Sequence, residues 1–510
     1  MSAARRLAGL VAALLLFRVG SALVVFQPGY TDAYYYADVA KRLAAGQGLT
    51  ADFIWNFLEY PSGVGPFPIA SHRFWMPLAS VLQAVGIAGL PFLDAFRAAQ
   101  AMEILVACLI PVVTYVAVRS LGGSANVGLL AAALAGLGGA FAPGWVSLDS
   151  FAPAAVIGTA FFLFYRRAAT GDVRAGALAG SAVGLLFLAR SEGPLFGLAL
   201  LWLLRAPASR RSGLAASLVA LVIGLAWLAR DLALGPGPDL LGRGMLLVRY
   251  EDFFAVDTRV GLLGLPAVGW EQFSSASGVV LAAKAAAVGT NLVTFLFAFG
   301  LLLVPGIARA LWSRWSRPDV RAYAGLLVLV FLVESLVFTL HSTRGSYFHS
   351  LAAFFPFGVA LGVVGTNELL RSTEGRRLAA AAGIVAAVIV SAFSVSQWDI
   401  SFNTPYRERL ALVDRLPPGG LMAIDAAAWR WIADRPAVVT PANLDPCAIG
   451  YAADLDVMTL VLERAHFTSY DRLYRGAVTY EFIGPPVQVG DFRLYRVDAR
   501  RARDLCASTM

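Results

Sequence analysis

The chain has 510 residues, 58% of them hydrophobic and only 15% charged, which excludes a soluble globular protein and points to a membrane protein with many spans. Its net charge of +8 is not a nucleic-acid footprint, because the arginines lie scattered in short connectors instead of along one face. Three cysteines exclude a disulfide-dense scaffold, and no CxxC or paired Cys/His spacing suggests zinc.

Arg5 and Arg6 precede the apolar run 7–26, which is long enough to span and ends in Phe26-Gln27-Pro28, not in a small-residue cleavage site. It reads as an uncleaved first span with a cytoplasmic N-terminus. Segment 29–77 follows, with GYTDAYYYADVAKRLAAGQGL and SHRFWMPLAS. A polar, aromatic loop of this length beside a span is costly to order unless it builds a site. Asp32 stands just before a helical pattern at 33–45, so it is either an N-cap or a general base. In the second case the rings of Tyr34, Tyr35 and Tyr36 line an acceptor sugar. Asp38 is six residues on and points about 120° away on a regular helix, which makes it a surface acid.

Further spans are expected at 98–119, 125–143, 148–165, 174–190, 193–205, 213–230, 286–308, 320–340, 350–369 and 378–397. With the first, that is about eleven. Starting from a cytoplasmic N-terminus, every inner connector is basic: Arg119; Arg166, Arg167 and Arg174; Arg205, Arg210 and Arg211; Arg309, Arg314, Arg317 and Arg321; Arg371, Arg376 and Arg377. The outer connectors are 28–97, 144–149, 190–193, 231–285 and 341–349. The odd number of spans puts the tail outside as well. Short strands at 421–425, 437–440, 457–462, 478–483 and 492–497, with helical or turn segments between them, make that tail a small α/β unit entered through Pro417-Pro418-Gly419-Gly420. It carries no glycine-rich nucleotide motif, so no cofactor is assigned to it. The expected architecture is mainly α: a polytopic transmembrane helical bundle over 1–397, with first outer loop 28–97, and an extracytoplasmic α/β domain over 398–510.

Under this topology the ionisable residues near span ends gather on one face: Asp32, Asp38, His72, Arg73, Asp149, Arg190, Glu192, Arg230, Asp231, His341, Arg344 and His349. Charges beside hydrocarbon usually mark a site or a pathway. Solvation of an outer loop explains any one of them taken singly. It explains the set less well, because Asp149 and the Arg190–Glu192 pair sit in connectors too short for ordinary wet loops.

The pieces TDAYYYADVAKRLAAGQGL, SHRFWMPLAS, SLDSFAP, FLARSEGPL and HSTRGSYFHSLAAFFPF, in this order, resemble the GT-C superfamily of polyprenol-dependent membrane glycosyltransferases. Within it they are most similar to bacterial sequences of the dolichyl-phosphate-mannose mannosyltransferase and aminoarabinose-transferase type. The resemblance implies an inner (plasma) membrane enzyme that moves a sugar from a polyprenyl-phosphate donor to a glycan, lipid or protein acceptor. It implies Asp32 as the catalytic carboxylate of the first loop and Asp149 as the acid of the second. Arg190 with Glu192 falls at the LARxEG position, and Arg344 falls where a late outer-loop cation meets donor phosphate. Many relatives carry adjacent acids in the first loop, whereas this chain reads Asp32-Ala33-Tyr34. That motif therefore gives a divalent metal no support, and no metal ligand is assigned.

Phosphate is already a competent leaving group, so the reaction needs a base on the acceptor hydroxyl and cations on the phosphate. Asp32 suits the first role. Arg344, helped by Arg73 or Arg190, suits the second, and a single displacement inverts the anomeric centre. His72, His341, His349 and Glu192 complete the expected lining. Two readings from other classes stand beside this one: a lipid or sugar transporter, although no internal repeat supports it, and a non-catalytic membrane protein that binds a partner through the tail. Cys447 and Cys506 both lie in the outer tail, either bonded or with Cys506 free near the terminus, while Cys108 falls inside a span.

Overall fold

The computed structural model describes residues 2–57, 66–235, 251, 254–257, 262–263 and 277–509. A helix stands at each of the expected spans. Among the described residues, six helices are long and apolar enough to cross a membrane: Ala3–Val24, Ala95–Ser120, Arg210–Ala233, Ser277–Phe299, Pro318–Val337 and Thr373–Arg415. The others are shorter, so the count of eleven is not established. The span expected at 286–308 divides, because the helix from Ser277 stops at Phe299, Gly300 turns with φ +69°, and a new helix starts at Val304 with Pro305 in its first turn. Leu218, Leu221 and Val222 on the Arg210–Ala233 helix are exposed, as lipid-facing residues would be. Its opposite side packs closely: a Cβ on Gly176 or Gly180 of the Val173–Ala189 helix would meet the Ser212 or Ala216 carbonyl at 2.3 and 2.1 Å. Small residues four apart let the two backbones approach to this distance.

The loop that follows the first helix shares a sheet with the tail. The loop contains the helix Thr31–Ala44 and the strands β1 (Thr50–Ala51), β2 (Phe53–Ile54) and β3 (Ile69–Ala70); a further pair, β4 (Val256–Asp257) and β5 (Leu262–Leu263), forms its own two-stranded sheet, and Val256 is hydrogen-bonded to Asn443 of the tail. The tail contributes β6 (Gly420–Ala423), β7 (Ala437–Val439), β8 (Val457–Leu462), β9 (Ile483–Val489) and β10 (Phe492–Val497) to a six-stranded sheet of order β2-β7-β6-β8-β10-β9. β2, β7, β6 and β8 run parallel, while β10 is antiparallel to both β8 and β9. The edge strand β2 comes from the first loop, with Phe53 opposite Ala437. A division at residue 398 therefore cuts through this sheet's partners. It also falls inside a continuous helical run, because Thr373–Trp398 leads through a π turn into Thr404–Leu410.

Two expectations for this region are corrected. The strand expected at 478–483 lies at Ile483–Val489 and includes Pro485 and Pro486, which a sheet tolerates because β9 is an edge strand. Asp38 is not a surface acid: it is 2% exposed and sits 3.7 Å from Nε of Arg430 on the tail helix Ala426–Ala433. It faces the tail, and Asp32 faces elsewhere, as their spacing requires.

Cys447 and Cys506 are bonded, with Cα atoms 4.8 Å apart and a sequence separation of 59, and Cys108 is free. The bond ties the terminal helix Ala499–Thr509 to the helix Pro446–Gly450. In the chain-entropy model such a loop stabilises by about 4 kcal/mol. A Cys506→Ser variant should lose about this much tail stability, read as earlier proteolysis of the tail and a lower Tm in the absence of reductant. Equal Tm values for the two proteins would contradict it.

Candidate active site

Asp32 is the second residue of the helix Thr31–Ala44, whose N-cap position is held by Tyr30 with extended backbone and no side-chain cap. Its carboxylate is thus not the cap. Asp149 lies between the turn Pro143–Trp145 and the helix Phe151–Ala168 and is 1% exposed. Its Oδ2 accepts from the Tyr30 hydroxyl at 2.5 Å, and its Oδ1 accepts from the Ser150 amide and, at 3.1 Å, the Ser150 hydroxyl. His349 Nδ1 is 3.6 Å from Asp149 Oδ2, and the imidazole rests on Phe151 at 4.2 Å. One ligand atom each from Asp32, Asp149 and His349 all lie within 4.8 Å of one another. Two loops and a short helix have assembled what adjacent acids in one loop would supply.

The electrostatics follow from burial and from two acids at close quarters. Burial first, and Asp149 second, push Asp32 up to about 8, with Arg190 opposing. Burial likewise pushes His349 down to about 4 although Asp149 pulls the other way. At neutral pH, with nothing else bound, Asp32 holds a proton and His349 is neutral.

Arg190 closes the helix Val173–Ala189 with extended backbone, so its side chain leaves the helix end and turns inward. It is ion-paired with Glu192, and the side chains are 14% and 15% exposed. Arg190 Nη2 lies 3.4 Å from Ser346 Oγ, and Glu192 accepts from the Ser350 hydroxyl. Arg190 is within electrostatic reach of Asp32, Asp149 and Tyr36. It is therefore the cation that the structure sets beside the two acids.

The other expected residues divide. Tyr36 is within electrostatic reach of Asp149, Asp32, Arg190 and Glu192. Tyr34 and Tyr35 are each 1% exposed and turn into the core instead: the Tyr34 hydroxyl donates to Gln27 Oε1 at 2.6 Å, and the Tyr35 hydroxyl accepts from the His72 amide at 2.5 Å. His72 is also packed, its ring nitrogens 3.0 Å from the Trp75 carbonyl and 3.1 Å from Ser80 Oγ. These three hold the loop together through buried hydrogen bonds. Arg73 donates to the Gly235 carbonyl at 3.0 Å, and His341 stacks on Phe74 at 5.8 Å. Arg344 is exposed at the end of Thr339–Thr343, two residues before Ser346. The search for charged residues in the sequence missed Tyr30, Ser346 and Ser350, because a hydroxyl carries no charge to mark it.

The described residues thus combine apolar membrane-length helices, a first loop joined to a tail sheet, and a two-acid, one-arginine cluster. Solved membrane-protein structures share this fold. The chain is similar to the archaeal oligosaccharyltransferase AglB from Archaeoglobus fulgidus, solved with an inhibitory peptide and a dolichol-phosphate, at 13% identity and TM-score 0.55, covering 95% of this chain and 74% of that one. It is similar to ArnT from Cupriavidus metallidurans bound to undecaprenyl phosphate at 14% identity and TM-score 0.55, covering 96% and 98%. The apo state of the same ArnT gives 13% and 0.56, covering 98% and 99%. At these identities the likeness is one of fold. No protein-family model matches the chain, and no curated protein matches it by sequence.

Proposed function

We propose that the protein transfers a sugar from a polyprenyl-phosphate donor to an acceptor hydroxyl on the outer membrane face, with inversion at the anomeric carbon. One observation carries this reading: Asp32 and Asp149, from separate loops, meet beside Arg190 in a fold whose solved examples hold dolichol-phosphate and undecaprenyl phosphate. In its ionised form, Asp32 takes the proton of the acceptor hydroxyl as it attacks. The bond between the anomeric carbon and the phosphate oxygen breaks, and Arg190 stabilises the charge that grows on the departing phosphate. Arg344 is a second contact for that phosphate. Tyr30 and Ser150 hold Asp149 in place, and Asp149 keeps Asp32 basic.

Asp32, Asp149 and His349 also fit a divalent cation, since two carboxylates and a neutral imidazole form a mixed oxygen and nitrogen donor set whose acids repel one another. A bound dication would hold Asp32 ionised and supply positive charge beside the phosphate.

The test is turnover. Purified protein given a panel of polyprenyl-phosphate sugars should release polyprenyl phosphate and form a glycoside of inverted configuration, seen by NMR. Movement of a labelled lipid-linked sugar across vesicles with no new glycosidic bond would point to the transporter instead. The outer-face assignment predicts that a membrane-impermeant thiol reagent labels a cysteine placed on the exposed tail surface of intact cells. Labelling only after lysis would reverse the topology.

A further inference from the structure

Glu334 has no role in the mechanism above, yet it lies against the donor side of the site. It sits in a turn of π-helix, Val333–Val337, that continues the helix Pro318–Leu332. Such turns recur at functional sites because they push one side chain out of helical register. The residue is 3% exposed. Its Oε1 lies 3.0 Å from Ser346 Oγ and 3.1 Å from Ser350 Oγ, and its Oε2 has no hydrogen-bond partner among the described residues.

Counting hydrogens sets its protonation. The Ser350 hydroxyl has one hydrogen and three acceptors around it: Glu192 Oε1, the nearest; Glu334 Oε1; and the Ser346 carbonyl at 3.0 Å. Once Glu192 takes that hydrogen, the Ser350 and Glu334 oxygens oppose lone pair to lone pair unless Glu334 carries a proton. An ionised carboxylate with one oxygen bare at this burial is also costly. The charged and titratable groups that face Glu334 are Arg190, Glu192 and Tyr347. Glu192 already pairs with Arg190, and Lys284 on the neighbouring helix turns to the Leu336 carbonyl and the Thr339 hydroxyl.

We infer that Glu334 is a positioning residue of the donor-phosphate subsite, a neutral carboxylic acid that donates to Ser350, accepts from Ser346, and so fixes Glu192 and Arg190. Two arms leave it, one through Ser350 to Glu192 and one through Ser346 to Arg190, and the Arg190–Glu192 pair closes them into a ring. Ionised, Glu334 would place a second negative charge behind Glu192 and draw Arg190 away from a bound phosphate. The role rests on the reading of Arg190 as a phosphate contact; the protonation does not.

Two measurements test it on the full-length protein in detergent. In the infrared difference spectrum of wild type minus Glu334→Gln at neutral pH, the carbonyl stretch of a protonated acid should be lost. Loss of carboxylate stretches instead would overturn the neutral assignment, whatever the protein catalyses. In undecaprenyl phosphate binding, Glu334→Ala should weaken affinity about tenfold, while Glu334→Gln, whose amide nitrogen keeps the donor toward Ser350 and loses the acceptor for Ser346, should weaken it by only about threefold. Equal losses for the two variants, or none for either, would overturn the positioning role. A wild type that does not bind the lipid at all would overturn the phosphate reading, while the infrared result would still decide the protonation.

Discussion

An Asp32→Asn enzyme should lose two to four orders of magnitude in turnover, roughly the value of a positioned general base, while binding undecaprenyl phosphate as wild type does. Asparagine keeps the shape of the side chain and removes only its ability to take a proton. The pH dependence gives a second reading of the same group. Because burial and Asp149 raise Asp32 from 3.8 to about 8, the metal-free wild-type rate should climb as pH rises through about 8, and the residual Asp32→Asn rate should not. Stability runs the opposite way. The folded protein binds the Asp32 proton more tightly than the unfolded chain does, so this contribution is complete below about 3.8 and is lost as pH rises through about 8. Without donor or metal, wild type should therefore lose Tm relative to Asp32→Asn between mildly acid and alkaline pH. Wild-type turnover in the variant, or parallel Tm profiles, would remove Asp32 from the role of base.

Much of the membrane part was legible because hydrocarbon imposes a simple rule: long apolar runs with basic connectors can be read without knowing their partners. Where the reading slipped, a local irregularity overruled hydropathy. Gly300 ends a helix inside an apolar run that otherwise continues. In the tail, β8 and β10 were readable as short runs rich in apolar, aromatic and β-branched residues, while Pro485 and Pro486 concealed β9, since position at a sheet edge is not written in the strand itself. The most consequential feature, β2 of the first loop joining the tail sheet, depends on a partner almost 400 residues away, and two residues carry no periodicity to find.

The candidate site shows the same division. Asp32, Asp149, Arg190 and Glu192 stood out because charges in short loops beside apolar spans are rarely idle. Their grouping was not legible. The first-loop sequence lacks adjacent acids, so the partner of Asp32 had to come from another loop, and only the fold brings Asp149 and His349 to it. Tyr34 and Tyr35 looked like sugar-lining rings because aromatic residues next to an acid suit that purpose. On a helix, neighbours a residue or two apart point in different directions, and these two point into the core.

Replacing Arg190 should have the other large effect, and its two consequences can be separated. Arg190→Ala leaves Glu192 buried and without its ion-pair partner near Glu334, which should destabilise the protein by about 3–5 kcal/mol, the cost of breaking a buried ion pair. Arg190→Leu with Glu192→Leu removes both charges and should recover most of that stability. It should not recover catalysis, because the developing phosphate charge loses its nearest cation, a deficit of about 10²–10³ in kcat by analogy with a lost transition-state donor. Arg190→Lys is the finer probe. Arginine uses Nε toward Glu192 and Nη2 toward Ser346, and a lysine ammonium supplies the charge without that fork. It should fold and should turn over more slowly than wild type but faster than the double leucine variant. Product inhibition by undecaprenyl phosphate reports the same contact in the ground state, and should weaken in the order wild type, lysine, double leucine. A double leucine variant that is inhibited as strongly as wild type would show that the phosphate is held elsewhere, and Arg344 would then be the residue to replace next.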